Sequence, residues 1–360
     1  MAGRARRALR RGAPWRRLPV SSDGGASWPL GRSVRFARRG LVAPRVPNRP
    51  PVDYDARGGC PIVKQTVRKA VFPAAGLGTR FLPVTKAQPK EMLPLVDMPI
   101  IQYGVEEAVA SGADHIIIVT GRGKNAIEDH FDVSVELETF LESRGKQDLA
   151  REIRKISDML TVAYVRQGEP LGLGHAVLVA RDLVGDEPFA VILADDVIDA
   201  DPPALRQMVD VFERVHGPVL AVEQVPMRDI SSYGVIRADE MGDGVYRILD
   251  LVEKPPRDEA PSDLAIIGRY VLTPDLFEVL GRTREDRTGE IQLTNGLREL
   301  LKQRPLYACK VAGVRHDTGN KLGYLKAVVH FALRRPDLAG PFREYLKSID
   351  LNAPGAGAPP

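Results

Sequence analysis

Cysteine, tryptophan and long apolar runs are scarce in this sequence, and these scarcities exclude several classes of protein. The 360 residues include only Cys60 and Cys309, too few for the disulfide framework of a small secreted domain, so a reducing cytoplasm is expected. No window offers the roughly 18 uninterrupted apolar residues of a membrane span, which argues against a membrane partner. Both tryptophans, Trp15 and Trp28, lie near the N-terminus. The overall composition, 44% apolar and 27% charged, is that of an ordinary globular protein.

The net charge of +4 combines two unlike parts of the chain. Of the 51 basic and 47 acidic residues, 15 basic and 3 acidic ones lie in residues 1–65, which leaves 36 basic against 44 acidic residues in the remainder, a net charge of −8. Nucleic-acid binding relies on basic surface that neutralises phosphates. The acidic remainder therefore argues against a nucleic-acid partner.

Residues 1–65 are rich in Arg, Pro and Gly and have no apolar periodicity, so they are predicted to be a disordered extension. Three interpretations stay open. An organelle transit peptide fits the arginine-rich, acid-poor composition but not the many prolines. A basic arm that binds nucleic acid or membrane is the second, and a translation start assigned too far upstream is the third. Because no methionine lies between Met1 and Met92, a later start would use a valine codon, such as Val63 or Val67.

The remainder alternates between strand-like and helical patterns. Apolar runs such as KAVFPAA, DHIIIVTG and FAVILADD are separated by stretches with helical spacing, such as PIIQYGVEEAVASG. Strand followed by helix, repeated, predicts a Rossmann-like, doubly wound, mostly parallel mixed α/β sheet. We expect one such domain over residues 66–350, followed by a disordered tail, APGAGAPP, within residues 351–360.

Two segments depart from the alternation. Residues 134–160 have no strand signal, which predicts an inserted pair of helices. Residues 233–254 alternate apolar and polar side chains about a Gly-Asp-Gly turn, which predicts a β-hairpin added to the sheet. Further helices are expected near the C-terminus, around a last strand in LYACKVAG.

A glycine-rich, basic loop follows the first predicted strand. Gly76 and Gly78 lack a Cβ, so backbone N–H groups can approach a phosphate chain closely, and Arg80 and Lys90 can neutralise it. The alternatives are a dinucleotide fingerprint or a plain tight turn, since Gly-x-Gly alone is weak evidence. Phe81 replaces the third glycine of that fingerprint, and a long loop precedes the next helix, so the dinucleotide interpretation is disfavoured.

Carboxylates follow two other predicted strands. Asp195 and Asp196 come directly after FAVILA, and Asp317 follows LYACKVAGVR. Ligands of open α/β sheets bind at the carboxyl ends of the strands, and Mg²⁺ is usually held by one or two carboxylates together with substrate phosphates. An exposed turn or a helix cap is the alternative for the Asp pair. His316 is interpreted as a packing or hydrogen-bonding residue.

Two further segments suit a nucleotide sugar. Glu253 can accept hydrogen bonds from sugar hydroxyls, and Lys254 can hold a phosphate monoester, although Glu-Lys is also a common surface pair. Gln167 follows a predicted strand, and its amide suits the edge of a pyrimidine. Gly172 lies at a predicted helix start, where an ordinary glycine turn is the alternative.

Together these motifs resemble the bacterial UTP–glucose-1-phosphate uridylyltransferases, within the sugar-phosphate nucleotidylyltransferases, from about residue 68 to about residue 350. The pattern G-x-G-T-R with the Lys of PKEMLPLVD ten residues later marks the larger group. KEMLPLVDMPIIQY, FDVSVELETFLESRGK, RQGEPLGLGHAV and HDTGNKLGYLKA mark the uridylyltransferases. Residues 1–65 match nothing in the family.

The resemblance implies attack of glucose 1-phosphate on the α-phosphorus of UTP, which gives UDP-glucose and pyrophosphate. It also implies a homo-oligomer, either a dimer or a tetramer. Carried over by position, Arg80, Lys90 and Lys254 are catalytic, and Asp195 and Asp317 bind Mg²⁺. The implied substrate-binding residues are Ala74, Ala75, Gly76, Gly78, Thr79, Glu91, Gln167, Gly172, Asp196, Gly234 and Glu253.

Within this set the roles divide by substrate. The backbone of Ala74, Ala75 and Gly76 would line the nucleoside, and Gln167 with Gly172 would read the uracil. Glucose would be bound by Glu253, Asp196 and the backbone of Gly234, and its phosphate by Lys254. Positioning and cation placement suffice for this reaction, with no covalent nucleophile and no general base.

Two rival functions are weighed. A thymidylyltransferase acting on glucose 1-phosphate is disfavoured by the helical insertion and by RQGEPLGLGHAV. A non-catalytic sensor of nucleotide sugars on the same fold predicts loss of Arg80, Lys90 or a metal carboxylate, and all of these are present.

Overall fold

The computed structural model describes residues 66–159 and 161–350. In these residues the apolar runs of the sequence form strands, and the segments with helical spacing form helices that cover them. Residues 1–65, residue 160 and residues 351–360 lie outside the described part. The expected disorder of both ends and the domain boundaries therefore stay predictions.

The described residues form strands and helices in the following chain order. The strands are β1 (Lys69–Pro73), β2 (Pro94–Leu95), β3 (Met98–Pro99), β4 (His115–Thr120), β5 (Thr161–Arg166), β6 (Phe189–Ile192), β7 (Asp196–Asp199), β8 (Val219–Gln224), β9 (Gly234–Gly242), β10 (Val245–Glu253), β11 (Leu264–Leu272), β12 (Tyr307–Lys310) and β13 (Val314–Asp317). The helices are α1 (Ile100–Ala110), α2 (Asn125–Phe131), α3 (Val135–Ser143), α4 (Gln147–Asp158), α5 (Leu173–Val179), α6 (Arg181–Val184), α7 (Ala204–Val215), α8 (Asp275–Leu280), α9 (Leu293–Leu301), α10 (Lys321–Arg334) and α11 (Ala339–Ser348).

The main sheet of the described part has nine strands in the order β5-β4-β1-β6-β11-β8-β12-β10-β9. Strands β5, β4, β1 and β6 are mutually parallel, as the strand-helix alternation predicts. The hairpin β9–β10 occupies the far edge and turns through Gly242, Asp243 and Gly244, with Asp243 at a φ of 53°. The predicted doubly wound mixed sheet and its added hairpin are confirmed, and α3 and α4 form the predicted helical insertion.

Strand β11 was not predicted from the sequence; it lies between β6 and β8 and runs antiparallel to both. All nine of its residues, LAIIGRYVL, are buried. Gly268 and Arg269 interrupt the apolar run of this segment, so its sequence shows two short apolar stretches rather than one buried strand.

The prediction that Asp317 follows the last strand of the main sheet was wrong. The last strand of the main sheet, β12, ends at Lys310, and Asp317 instead ends the separate strand β13. This strand pairs antiparallel with β7 and places Asp317 opposite Asp196. The two carboxylate segments therefore meet through a small second sheet.

Both faces of the main sheet are covered, and alternate side chains of β1 show how. Val71 packs in a cluster with residues of α5, α8 and α9, whereas Phe72 packs in a cluster with residues of α1 and α7. Because successive side chains of a strand point to opposite faces, an apolar strand needs a helix layer on each side. The layers leave the carboxyl ends of the parallel strands free for a site.

Candidate active site

The loop after β1 brings the predicted phosphate-binding residues to the end of that strand. Between Pro73 and α1 the chain forms three short 3-10 turns, Thr79–Phe81, Val84–Lys86 and Lys90–Met92, as the long predicted loop requires. Gly78 adopts a left-handed conformation before the first turn.

This loop, the segment after β5, the start of α5 and the segment after β6 line a cavity of about 460 Å³, here called the nucleotide cavity. Nine of the predicted residues line it: Ala75, Gly76, Gly78, Thr79, Lys90, Glu91, Gln167, Gly172 and Asp195. Ala74 is buried beneath it, and its N–H donates to the carbonyl of Val119 at 2.9 Å.

Gln167 is anchored directly after β5, as predicted. Its N–H donates to the Thr120 carbonyl at 2.9 Å, and its side-chain Nε2 donates to the Gly172 carbonyl at 3.2 Å. The same amide lies 3.0 Å from Nδ1 of His175. The amide is therefore held at a fixed angle, with its oxygen available for a ligand.

Gly172 is held against a loop that the sequence analysis did not single out. It precedes α5 with φ 93° and ψ 178°, a region open essentially to glycine alone. A Cβ there would lie 2.8 Å from the Cβ of Glu290 and 3.0 Å from the Ile291 carbonyl. Glu290 also lines the nucleotide cavity. Nothing in its local sequence pattern marked it, because its approach to Gly172 depends on the tertiary fold.

Lys90 and Asp195 form an ion pair at the wall of the nucleotide cavity, with Nζ donating to Oδ2 at 2.5 Å. Burial disfavours both charges, but the mutual attraction outweighs it. The pKa of Lys90 is consequently raised and the pKa of Asp195 is lowered. Both side chains are charged at neutral pH.

Asp195 and Asp317 converge on Gly319. A Cβ at Gly319 would lie 3.0 Å from both Asp195 Oδ2 and Asp317 Oδ1 and 3.6 Å from Nη1 of Arg80. Thr318 ties the two segments together, since its N–H and its hydroxyl both donate to the Asp195 carbonyl at 2.8 Å. The backbone of Gly319 is thus the point at which two carboxylates and a guanidinium approach one another.

Asp317 is oriented by its neighbours in the chain. Its Oδ1 accepts the N–H of Gly319 at 2.9 Å, and its Oδ2 accepts from Nδ2 of Asn320 at 3.0 Å. Asn320 in turn caps α10 by accepting the N–H of Gly323 at 2.8 Å. The orientation of Asp317 is therefore coupled to the start of α10.

Asp196 points away from Asp195 and is buried. Its Oδ1 accepts from Nε of Arg315 at 2.5 Å, and its Oδ2 accepts the N–H of Gly268 at 2.8 Å. Nη1 of Arg315 also donates to Glu223 at 3.2 Å, and the guanidinium lies 5.2 Å from the ring centroid of Tyr233. Arg315 was missed by the sequence analysis, because an arginine two residues before an aspartate carries no motif of its own.

Three of the four predicted sugar-side residues, Gly234, Glu253 and Lys254, lie together at one end of the hairpin, whereas Asp196 lies on β7. Glu253 and Gly234 are cross-strand partners, and Glu253 lies 3.2 Å from Lys254 Nζ. Lys254 has a φ of 45°, rare for a non-glycine residue, and its N–H donates to the Tyr233 carbonyl at 3.0 Å. Strained backbone of this kind concentrates at functional sites.

A second cavity, of about 660 Å³, adjoins the Gly319 backbone. Arg80, Asp317, Tyr233, Arg315 and Asn320 are among its lining residues, whereas Gly234, Glu253 and Lys254 line neither cavity. Arg80 and Asp317 thus face this second cavity, while Lys90 and Asp195 face the nucleotide cavity.

Glu91 is paired below the nucleotide cavity with a lysine that the sequence analysis missed. Lys124 Nζ donates to Glu91 Oε2 at 2.7 Å, and both residues are buried. Among the described residues, Oε1 of Glu91 has no hydrogen-bond partner. The ion pair holds the turn that carries Lys90.

A family model for nucleotidyl transferases matches residues 69–332. Over 287 residues the chain is 50% identical to the UTP–glucose-1-phosphate uridylyltransferase YngB of Bacillus subtilis (strain 168), which covers 80% of this chain and 97% of that protein. The chain belongs to the UTP–glucose-1-phosphate uridylyltransferase family. This confirms the resemblance that the sequence motifs indicated. The protein is an enzyme, a nucleotidyltransferase.

Solved structures agree with the assignment. The crystal structure of a UDP-glucose pyrophosphorylase in complex with UDP-glucose matches with 45% identity and a TM-score of 0.70, over 75% of this chain and all of that chain. A putative glucose-1-phosphate thymidylyltransferase of Bacillus anthracis matches at 23% identity with a TM-score of 0.57, over 73% of this chain and 94% of that chain. The second likeness shows the fold alone.

Nucleotidyltransferases of this kind generally use a divalent metal, and the carboxylates of this uridylyltransferase fit one. Within the described residues, no group of three or more His, Cys, Asp or Glu side chains could hold an ion by itself. Asp195 Oδ2 and Asp317 Oδ1 nevertheless would each lie 3.0 Å from a Cβ placed at Gly319, so the two carboxylates approach the same point. Two carboxylates completed by substrate phosphates are a common way to bind such a cation.

No helix in residues 66–159 or 161–350 has the length and apolar character needed to cross a membrane.

Proposed function

We propose that this uridylyltransferase converts UTP and α-D-glucose 1-phosphate into UDP-glucose and pyrophosphate. The observation that carries the proposal is the convergence of Arg80, Lys90, Asp195 and Asp317 around Gly319, between the nucleotide cavity and the second cavity. Paired cations and carboxylates at one point suit two phosphate anions that must meet in line. The name of the Bacillus subtilis relative supports this choice of substrates.

UTP is assigned to the nucleotide cavity. Gln167, held by Gly172, reads the uracil with its free amide oxygen. Lys90 neutralises the triphosphate from the wall of this cavity, and Arg80 does so from the adjoining second cavity. Lys90 exchanges the carboxylate of Asp195 for a phosphate oxygen, a short movement because the ammonium already lies on the cavity wall. The backbone that lines the nucleoside and phosphates comes from Ala74, Ala75, Gly76, Gly78 and Thr79, and Glu91 supports it from below.

Mg²⁺ is the proposed metal, and Asp195 and Asp317 are the residues that would hold it. Their all-oxygen donor set and the adjoining phosphates suit this ion. When bound, it would neutralise charge on the phosphates during transfer. Asn320 and Thr318 keep both carboxylate segments oriented.

Glucose 1-phosphate is assigned to the hairpin side. Lys254 holds the phosphate, and Glu253 with the backbone of Gly234 binds glucose hydroxyls. Asp196 also faces the sugar in this proposal, although both of its oxygens already accept a hydrogen bond. A carboxylate offers about four lone-pair sites, so a hydroxyl can share them. The phosphate of the sugar is ionised near neutral pH, hence no general base is assigned.

The test is pyrophosphate release by the purified chain with Mg²⁺, with UTP and dTTP each supplied against glucose 1-phosphate, galactose 1-phosphate and mannose 1-phosphate. We expect release with UTP and glucose 1-phosphate, much faster than with dTTP. Comparable rates with dTTP would contradict the assigned base. Silence with every pair, from folded protein, would favour a sensor of nucleotide sugars.

Three expectations about the setting belong to the same proposal. The enzyme works in the cytoplasm, where both substrates are expected, and it needs no nucleic-acid or membrane partner. It forms a homo-oligomer, either a dimer or a tetramer. Light scattering of the purified protein measures this last point, and a monomer at all concentrations would contradict it.

A further inference from the structure

An arginine is the largest fully buried side chain of the described residues. Arg269, on β11, is 1% exposed and pairs with Glu107 of α1, which is 9% exposed. Nε and Nη2 of Arg269 donate to the two carboxylate oxygens of Glu107 at 3.0 and 2.8 Å. Both charges are thus removed from water and paired with bidentate geometry.

The ion pair is bound to the turn that carries Asp195, one of the two proposed metal ligands, and Asp196. Nη1 of Arg269 donates to the carbonyls of Leu193 at 3.2 Å and Gly268 at 3.0 Å. Leu193 N–H donates to the Gly268 carbonyl at 2.9 Å, and Gly268 N–H donates to Asp196. The turn from Leu193 to Asp196 is therefore held from beneath by one guanidinium and one backbone segment.

The local shape of β11 makes this possible. Its pairing with β8 is interrupted between Ile266 and Tyr270, so the strand departs from regular register at Gly268 and Arg269. Irregularities of this type re-aim side chains and recur beside active sites. Glu107 completes the arrangement, because its Oε1 also accepts the N–H of Leu205 at the start of α7.

Stability alone does not explain a buried ion pair at this position. Removing two charges from water costs as much as their attraction returns in many proteins, and apolar replacements are often neutral or stabilising. We propose that Arg269 and Glu107 are positioning residues that fix the turn of Asp195 and Asp196 for metal binding. This inference rests on the proposed function, since it takes Asp195 as a metal ligand.

The deciding variant is the double substitution Arg269→Met with Glu107→Gln. It removes both charges and keeps an acceptor for the N–H of Leu205, so the protein is expected to fold with a thermal midpoint close to that of the wild type. A matched control is Arg154→Met with Glu138→Gln, which removes the pair between α4 and α3.

Two measurements follow on each protein. One is the Mg²⁺ concentration for half-maximal pyrophosphate release at saturating substrates, and the other is Mn²⁺ binding in the presence of UDP-glucose, detected by electron paramagnetic resonance. For the double variant at β11 we expect the metal affinity to fall about tenfold in both measurements, the size typical of lost outer-shell partners. The control pair should leave both values at the wild-type level.

A folded double variant with wild-type metal affinity would overturn the inference. If this variant does not fold, Arg269→Lys replaces it, because lysine keeps a charge for Glu107 but cannot serve two carbonyls as well. Unchanged metal affinity in that variant would overturn the inference equally. Failure of the proposed function looks different: wild type and control would then release no pyrophosphate and bind no Mn²⁺ beside UDP-glucose.

Discussion

The substitution Gly319→Ala tests whether the two carboxylates at Gly319 share one cation. Gly319 does not have a positive φ, so alanine introduces no backbone strain. Its methyl group would lie 3.0 Å from both Asp195 Oδ2 and Asp317 Oδ1. That distance is slightly tighter than ordinary contact, so we expect the carboxylates to separate by a few tenths of an ångström rather than the protein to unfold.

The substitution is expected to lower the affinity for Mg²⁺. Mg²⁺ keeps its oxygen ligands at about 2.0–2.1 Å in strict octahedral geometry, so it tolerates such a displacement poorly. We expect the affinity to fall about 10- to 100-fold, which corresponds to about 1.4–2.8 kcal/mol. The free energy of unfolding should change by less, because the methyl group would come closer than ordinary contact distance to only two atoms, both side-chain oxygens.

The assay is a Mg²⁺ titration of pyrophosphate release, with a thermal melt of each protein. Gly340→Ala is the matched control, since a Cβ at Gly340 in α11 has no neighbouring atom within 4 Å. We expect the control to follow the wild-type titration. If Gly319→Ala also gives the wild-type titration and an unchanged melt, the two carboxylates do not bind the metal together. Asp317 would then no longer be assigned as a metal ligand.

Four further predictions follow from the same geometry. Lys254→Ala should lower kcat/KM for glucose 1-phosphate about 10- to 100-fold, the cost of one charged hydrogen bond, while KM for UTP stays constant in steady-state kinetics. Gly172→Ala should raise KM for UTP and cost about 1–3 kcal/mol in a denaturant melt, because φ 93° excludes other residues. Asp195→Asn should weaken both the rate and the Mg²⁺ dependence in the same titration, and an unchanged dependence would remove this residue from the metal site. Deleting residues 1–65 should leave kcat and both KM values intact; loss of activity in a folded deletion variant would give that segment a function.

Local sequence was sufficient for the parallel half of the sheet and for the hairpin. The apolar run KAVFP and the turn Gly-Asp-Gly are short-range signals, and they formed β1 and the β9–β10 turn as predicted. Strand β11 was not predicted, because Gly268 and Arg269 interrupt its apolar run and leave two short apolar stretches.

The candidate site divides in the same way. Gln167 and Lys254 directly follow strands, and Glu253 and Asp317 end them, so the sequence alone predicted the chemical groups of the candidate site and the family of the chain. It placed Asp317 after the wrong strand, since the pairing of β13 with β7 joins residues about 120 positions apart.

Only the tertiary structure decided how these groups are held. Arg315, Arg269, Lys124 and Glu290 have no local pattern that separates them from surface charges, and each acquires its partner from a distant part of the chain. The physical reason is that strand and helix signals come from neighbours in sequence, whereas desolvation and charge pairing depend on neighbours in space. The sequence thus predicted the candidate groups and fixed their order along the chain, and the packed sheet determined the distances between them.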